Sequence, residues 1–275
     1  MTKVLITTVP FANMNRLPLE LLEGASVDYA INPLGRKLIE DELAEMAVDV
    51  DVIIAGTEPV TKKVMEKAKN LKLISRVGIG LDSVDLVAAK SRGIAVSYTP
   101  DAPAPAVAEL TIGLLLSLLR SIHISNSELH KGIWHRHFGR RIPEVTIGII
   151  GAGRIGSRVI RRLSAFGSPR VLVNDINPQT EISPALKLEW VDKETIFKEA
   201  DVISVHTPLT RQTVDLISDK EIALMKKGIL LINVARGGII NEKALEMGLK
   251  SGDIGGAAID VFNQEPYLGE LANID

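Results

Sequence analysis

Two kinds of apolar patterning alternate along this chain. Short runs rich in β-branched residues, KVLITTV (3–9), DVIIAGT (51–57), LKLISRVG (71–78) and IAVSYT (94–99), read as strands. Between them, EDELAEMAVDV and TKKVMEKAKN repeat apolar residues every three or four positions with charge on the other face, as surface helices do. Alternation of this kind predicts parallel strands joined by crossover helices. The rhythm breaks at TPDAPAPAVAE (99–109), where Pro100, Pro103 and Pro105 precede a long helix expected from Pro105 to about residue 124. The domain boundary is expected there, giving domains 1–100 and 101–275. A second strand series follows: VTIGIIG (145–151), RVLVND (170–175), VISVH (202–206), ILLINVA (229–235) and GGAAIDVF (255–262). These runs are apolar almost throughout, which predicts a sheet covered on both faces. The expected architecture is α/β, two doubly wound parallel-sheet domains with a cleft between them.

Composition narrows the partners. Of 275 residues, 46% are apolar, enough for sizeable cores, and the net charge is −2 with acids and bases interspersed. No basic field exists to hold a nucleic acid or an anionic membrane, so neither is expected as a partner. Absence of cysteine excludes disulfides, zinc thiolate sites and a thiol nucleophile. The start, MTKVLITTVPF, reads as a first strand rather than a signal peptide, which makes a cytoplasmic location the expectation. LTIGLLLSLL (110–119) meets Arg120 well short of the roughly 20 apolar residues a membrane span requires, so a buried helix is predicted.

IGIIGAGRIGSRVIRRL sets Gly151, Gly153 and Gly156 directly after a strand and at the opening of an amphipathic helix. The first glycine permits a tight turn, the second lets a pyrophosphate approach the backbone, and the third lets helix pack on strand. The helix N-terminus adds free N–H groups and a positive dipole end. Asp175 closes the next strand, where a carboxylate can accept hydrogen bonds from ribose hydroxyls and would repel a 2′-phosphate. The expected cofactor is therefore NAD rather than NADP.

With these residues placed, the chain resembles the D-2-hydroxyacid dehydrogenase family, most of all its phosphoglycerate dehydrogenases. The resemblance is carried by SRVGIGLDSVDL (75–86), VAELTIGLLLSLLR (107–120), GIIGAGRIG (148–156), VHTPLT (205–210), NVARGGIIN (233–241) and AAIDVFNQEP (257–266). It implies a flavodoxin-like substrate domain followed by a Rossmann NAD-binding domain, and hydride exchange between a D-2-hydroxy acid and its 2-keto acid. Arg236 would bind the substrate's carboxylate and keto oxygen, a role that suits a planar and permanently charged fork. Glu265 would pair with a catalytic histidine and raise its pKa; without the family it is a surface acid before a proline. Arg154 and Ile155 would lie along the pyrophosphate, His206, Thr207 and Pro208 on the cofactor edge, and Ala235 and Asp260 near the nicotinamide. Val77 and Gly78 would offer backbone N–H groups to the substrate carboxylate, and Ile79 would approach the cofactor through its backbone.

The proton donor is the open question of the sequence. His123, His130, His135 and His137 fall in the long helix and the connector after it, none with metal-ligand spacing to a second ligand type, and no metal is expected. His206 alone lies on the cofactor face, where the family uses that position for binding. The family's catalytic histidine follows the Glu-Pro step by about 15 to 20 residues, which places it beyond Asp275 and implies that the end of the nucleotide domain is missing here. Three readings stay open: a dehydrogenase shown in part, a silent NAD-binding regulator of the C-terminal-binding protein type, or a dehydrogenase using His206 or water. Arg76 and Arg136 are candidate cations for a substrate phosphate, while PDAPAPA departs from the family's P-x-G-N turn. The long helix, apolar nearly all round, predicts burial on several sides and a homodimer through it and the connector HISNSELHKGIWHRHF.

Overall fold

The structure is a computed structural model that describes all residues except 179–181, 184 and 275. It divides into two compact units, Met1–Pro103 and Ala104–Asp275.

The first unit holds five strands, β1 (Lys3–Ile6), β2 (Asp28–Ile31), β3 (Val52–Ala55), β4 (Leu73–Arg76) and β5 (Ala95–Tyr98). All pair in parallel in the order β2-β1-β3-β4-β5, the flavodoxin-like winding. Helix α1 (Leu17–Gly24) covers one face, where Val4, Ile6 and Leu19 pack. Helices α2 (Glu40–Met46), α3 (Lys62–Lys67) and α4 (Leu86–Ser91) cover the other with Leu43, Val64, Met65 and Ala88 against Leu5, Ile53 and Ile74. Alternation along β1 explains this: Val4 and Ile6 face one layer and Leu5 the opposite one. The caps are local, with Asp85 accepting from the Ala88 N–H at 2.8 Å at the start of α4.

The second unit opens with α5 (Ala104–Arg120) and α6 (Ile122–His130). Then follow β6 (Thr146–Ile150), α7 (Gly156–Leu163), β7 (Arg170–Asn174), β8 (Leu188–Trp190), α8 (Lys193–Glu199) and β9 (Val202–Val205). Helix α9 (Asp219–Ile222), β10 (Ile229–Asn233), α10 (Glu242–Ser251) and β11 (Ile254–Ile259) complete it. The parallel order β11-β10-β9-β6-β7-β8 is the Rossmann winding, with its reversal between β6 and β9. On one face α5 and α7 bury Ile112, Leu115, Val159 and Ile160 against Ile147 and Ile149; on the other, α8, α9 and α10 bury Ile196, Ile222 and Leu245 against Ile150, Ile203 and Leu231. The expected two-sided burial is complete in β9 and β10.

Three features differ from the sequence reading. β2 and β8 were not expected: β2 is an edge strand with mostly exposed residues, and β8 an edge strand of three residues. The long helix does not reach residue 124. Ser121 turns left-handed at φ 50, and α5 and α6 meet at 66°. The Leu119 carbonyl, which would continue the helix, instead accepts from the Arg140 N–H at 3.0 Å, with Gly139 packed close against it. Nor is α5 buried all round: Ala104, Ala108, Thr111, Ile112, Leu115 and Leu119 form one buried face. Among the described residues no single helix is long and apolar enough to cross a membrane.

Candidate active site

The carboxyl ends of β6, β7, β9 and β10 gather most of the residues singled out above. After β6 the chain turns at Gly151, whose φ of +97 is open to glycine and strained for other residues. A Cβ there would lie 2.8 Å from the His206 carbonyl and 3.0 Å from Thr207 Cγ2, so the turn closes tightly on the end of β9. Gly156, first residue of α7, passes so near that a Cβ would sit 2.0 Å from the Gly151 oxygen. Gly153 is different: nothing lies within 4 Å of where its Cβ would be. Two glycines therefore hold strand to helix, and the third leaves open space over the N-terminus of α7. The first N–H groups of any helix lack intrahelical acceptors, and at this end the dipole favours an anion.

Asp175 stands at the end of β7, where its carboxylate accepts from the Ala152 N–H at 2.7 Å and the Asn177 N–H at 2.8 Å. Those bonds lock it against the glycine turn. On the β9 side, Pro208 is exposed and His206 and Thr207 are partly buried. His206 Nε2 meets Ser204 Oγ at 2.9 Å, while His206 Nδ1 and Thr207 Oγ1 are buried with no hydrogen-bond partner among the described residues. Burial without a charged partner pushes the His206 imidazole down to about 4. A dinucleotide fits this surface. It has an open cradle at Gly153, an acid held in place by two backbone N–H groups, and two orphaned polar atoms that otherwise cost free energy.

Arg236 and Ala235 follow β10. Buried Asn233 holds their turn, accepting from the Ala235 N–H at 3.1 Å and donating to the Arg236 carbonyl at 2.9 Å. Arg236 Nη1 donates to the Ala235 carbonyl at 2.6 Å. The next residue, Gly237, lets the loop after β11 come close, since a Cβ would sit 2.2 Å from the Phe262 carbonyl. That loop carries Glu265, which is exposed and accepts from the Phe262 N–H at 3.2 Å, with no histidine among its hydrogen-bond partners in the described residues. Asp260 lies between them in sequence. Desolvation first, then repulsion from Glu265, raises its carboxyl above the ordinary range. Sequence reading missed Asn233 and Gly237 as positioning residues, although an Asn ending a strand two residues before a turn is a recognisable Asx signal.

In the first unit, Val77, Gly78 and Ile79 follow β4. Gly78 has φ +137, beyond the reach of other residues. The two N–H groups expected to meet a substrate carboxylate are both engaged: Val77 donates to Ala55 O at 2.8 Å, extending the β4–β3 ladder, and Gly78 donates to Thr99 Oγ1 at 2.8 Å. The conformation described thus does not offer them. Ile79 is partly buried. Beside this loop, a cavity of about 150 Å³ is lined by Thr8, Lys37, Glu58, Arg76 and Val77 among others. Glu58, unremarked in the sequence, is buried there at 2% exposure and accepts from Gly56 N–H at 2.8 Å and from Thr7 Oγ1. Arg76 lines that cavity, whereas Arg136 is exposed on the connector after α6.

Residues 112–274 match the family described as D-isomer specific 2-hydroxyacid dehydrogenase, NAD binding domain. A hydroxypyruvate reductase of Thermotoga maritima is 42% identical over 237 residues, covering 85% of this chain and 76% of that protein. A D-3-phosphoglycerate dehydrogenase of Methanocaldococcus jannaschii is 43% identical over 83% of this chain, but the match spans only 44% of its own length. Among solved structures, the TT0316 protein from Thermus thermophilus superposes with a TM-score of 0.89 at 33% identity, covering 99% of this chain and 86% of that one. A D-lactate dehydrogenase from Aquifex aeolicus, complexed with NAD and lactic acid, gives 0.84 at 26% identity, covering 99% and 83%.

Proposed function

We propose that this chain, which belongs to the D-isomer specific 2-hydroxyacid dehydrogenase family, interconverts a small D-2-hydroxy acid and its 2-keto acid with NAD, and that Arg236 is the residue that orients the substrate. The observation that carries the reading is the placement of Arg236. It leaves the carboxyl end of β10, braced by Asn233, in the same sheet whose β6 end carries the glycine cradle. Ligands of open α/β sheets collect along this edge.

NADH, when bound, supplies the hydride. Gly151, Gly153 and Gly156 would shape the pyrophosphate seat with Arg154 and Ile155 beside it, and Asp175 would take the ribose hydroxyls. His206, Thr207 and Pro208 would border the cofactor, with Ala235 and Asp260 toward the nicotinamide end. Arg236 would grip the carboxylate and draw electron density from the keto oxygen, but it cannot release a proton at neutral pH. Glu265, an exposed carboxylate on the loop packed at Gly237, would hold an imidazolium as its partner. His206 is a poor proton donor, because an imidazole pushed down to about 4 is neutral at pH 7. The roles of Val77 and Gly78 as substrate contacts would require the Val77 N–H to leave the Ala55 carbonyl and the Gly78 N–H to leave Thr99, while Ile79 would approach the cofactor through its backbone.

Relatives named for hydroxypyruvate, glyoxylate and phosphoglycerate support a short 2-keto or 2-hydroxy acid as the substrate. Within that class we favour a phosphoglycerate dehydrogenase-like activity, with Arg76 a candidate cation for the tail. Assembly as a two-fold dimer belongs to the same proposal, because Ile122, Leu129, Ile133, Trp134 and Phe138 are exposed along α6 and the connector. The test of the reading is Arg236→Lys, which keeps the charge and removes the fork. A fall in kcat/KM for a 2-keto acid of about 100-fold or more, with NADH affinity unchanged, is expected. Equal kcat/KM would defeat the assignment.

A further inference from the structure

The connector after α6 carries His135-Arg136-His137, and its two imidazoles converge on one carboxylate. His137 Nε2 lies 2.7 Å from Glu128 Oε2, and His135 Nδ1 lies 3.6 Å from Glu128 Oε1. The two rings are 4.2 Å apart, centroid to centroid, tilted by 45°. One ligand atom from each of the three residues falls within 4.8 Å of the others. Gly132, at φ +75, supplies the turn that folds the connector back onto the last turn of α6. The sequence hides this grouping, since Glu128 is on a helix and the histidines are not.

We propose that Glu128, His135 and His137 form a binding site for a first-row divalent cation, zinc being the best fit, with water completing the coordination. The donor set is two neutral imidazoles and a carboxylate, which is a known composition for a zinc site with an open position. In a tetrahedral site with bonds of about 2.0 to 2.1 Å, ligand atoms stand about 3.3 Å apart. The separations of 2.7 and 3.6 Å, each to its own Glu128 oxygen, bracket that value, and one ligand atom from each residue lies within 4.8 Å of the others. The metal-free alternative is a pair of hydrogen bonds in which each neutral ring donates its own N–H to a Glu128 oxygen, and the zinc titration below separates the two arrangements. One metal ion serves all three groups at once. Imidazole and carboxylate together suit zinc, copper, nickel and iron(II) rather than calcium or magnesium, which take oxygen.

Bound metal would pin the connector to α6 and fix Trp134, which is 78% exposed between Ile133 and His135. That indole reports on the site. The proposal is independent of the catalytic reading, and its test needs no turnover. The chelator-treated chain is titrated with zinc chloride by calorimetry, with Trp134 emission followed in parallel in a Trp190→Phe background, and with cobalt(II) for its visible spectrum. One zinc per chain, a change in emission and an intense tetrahedral cobalt spectrum are expected, with affinity lowered about tenfold or more by His137→Gln or Glu128→Gln. Circular dichroism and NADH binding of each variant confirm that the fold persists. Failure to bind zinc saturably, or binding that survives intact in the His135→Asn, His137→Gln double variant, would overturn the site.

Discussion

Gly153 and Gly156, three residues apart in one motif, are expected to fail in opposite ways when each is changed to alanine. At Gly156 the new methyl would stand 2.0 Å from the Gly151 oxygen and 3.0 Å from its carbon. Gly151 cannot retreat, since its N–H is bonded to the Asn174 carbonyl at 2.8 Å and its other side already faces the His206 backbone. Helix α7 must shift away from β6 instead, loosening Val159, Ile160 and Leu163 in the core. Overpacking of this kind costs about 1 to 3 kcal/mol, which in a unit of this size lowers Tm by about 2 to 4 °C per kcal/mol. At Gly153 a methyl meets nothing within 4 Å, so the protein alone should keep its Tm to within about 1 °C. Its cost falls on the ligand, because the methyl occupies the space through which a pyrophosphate reaches the backbone. A loss of NADH affinity of about tenfold or more, or about 1.4 kcal/mol, is expected for Gly153→Ala. Differential scanning calorimetry and NADH fluorescence titration on both variants decide the matter. If Gly153→Ala binds NADH as tightly as the parent, the open space at Gly153 is not the cofactor cradle.

Further outcomes follow from other residues. His206→Asn should leave the pH dependence of kcat unchanged near neutrality, and a lost alkaline or acid limb would make His206 the proton donor after all. The same variant tests linkage: folded His206 is pushed down to about 4 from 6.5, so between those values the unfolded chain binds the extra proton and stability falls as pH falls. Chemical denaturation between pH 7 and pH 4.5 should show that loss, about 1 to 3 kcal/mol, in the parent and not in the variant. NADH should bind about tenfold or more tighter than NADPH, and Asp175→Ala should narrow the gap; equal affinities in the parent would remove Asp175 from the ribose site. Sedimentation should give a dimer at micromolar concentration that Trp134→Asp with Phe138→Asp converts to monomer, and a monomeric parent would contradict the proposed surface.

The strands that lie inside the sheets were legible because they are apolar on both faces: ILLINVA and VISVH could be little else. The edge strands were not, because DYAI and LEW face solvent on at least one side and lack the pattern that burial imposes. The helix end at Arg120 was invisible for a different reason. LTIGLLLSLLRSIHIS continues its apolar spacing through Ser121, and the break depends on Arg140, 20 residues later, capturing the Leu119 carbonyl. At the site, the glycine loop and Asp175 were readable from spacing because local backbone geometry fixes them. Arg236 and Glu265 rested on resemblance, and what brings their loops together, Gly237 beneath Phe262, is a tertiary contact. The engaged N–H of Val77 is likewise a matter of sheet register, which the sequence of the RVGIG loop does not state.

Hydride transfer to a 2-keto acid oriented by Arg236 is followed most directly with deuterium. The protein expressed from its whole open reading frame is incubated with NADH carrying deuterium at both C4 positions and with hydroxypyruvate or pyruvate, and the product is analysed by mass spectrometry and chiral chromatography. The account predicts a D-2-hydroxy acid carrying deuterium at C2, formed by the parent and suppressed about 100-fold or more in Arg236→Lys. An unlabelled product, an L-configured one, or labelled product formed equally by Arg236→Lys would contradict it.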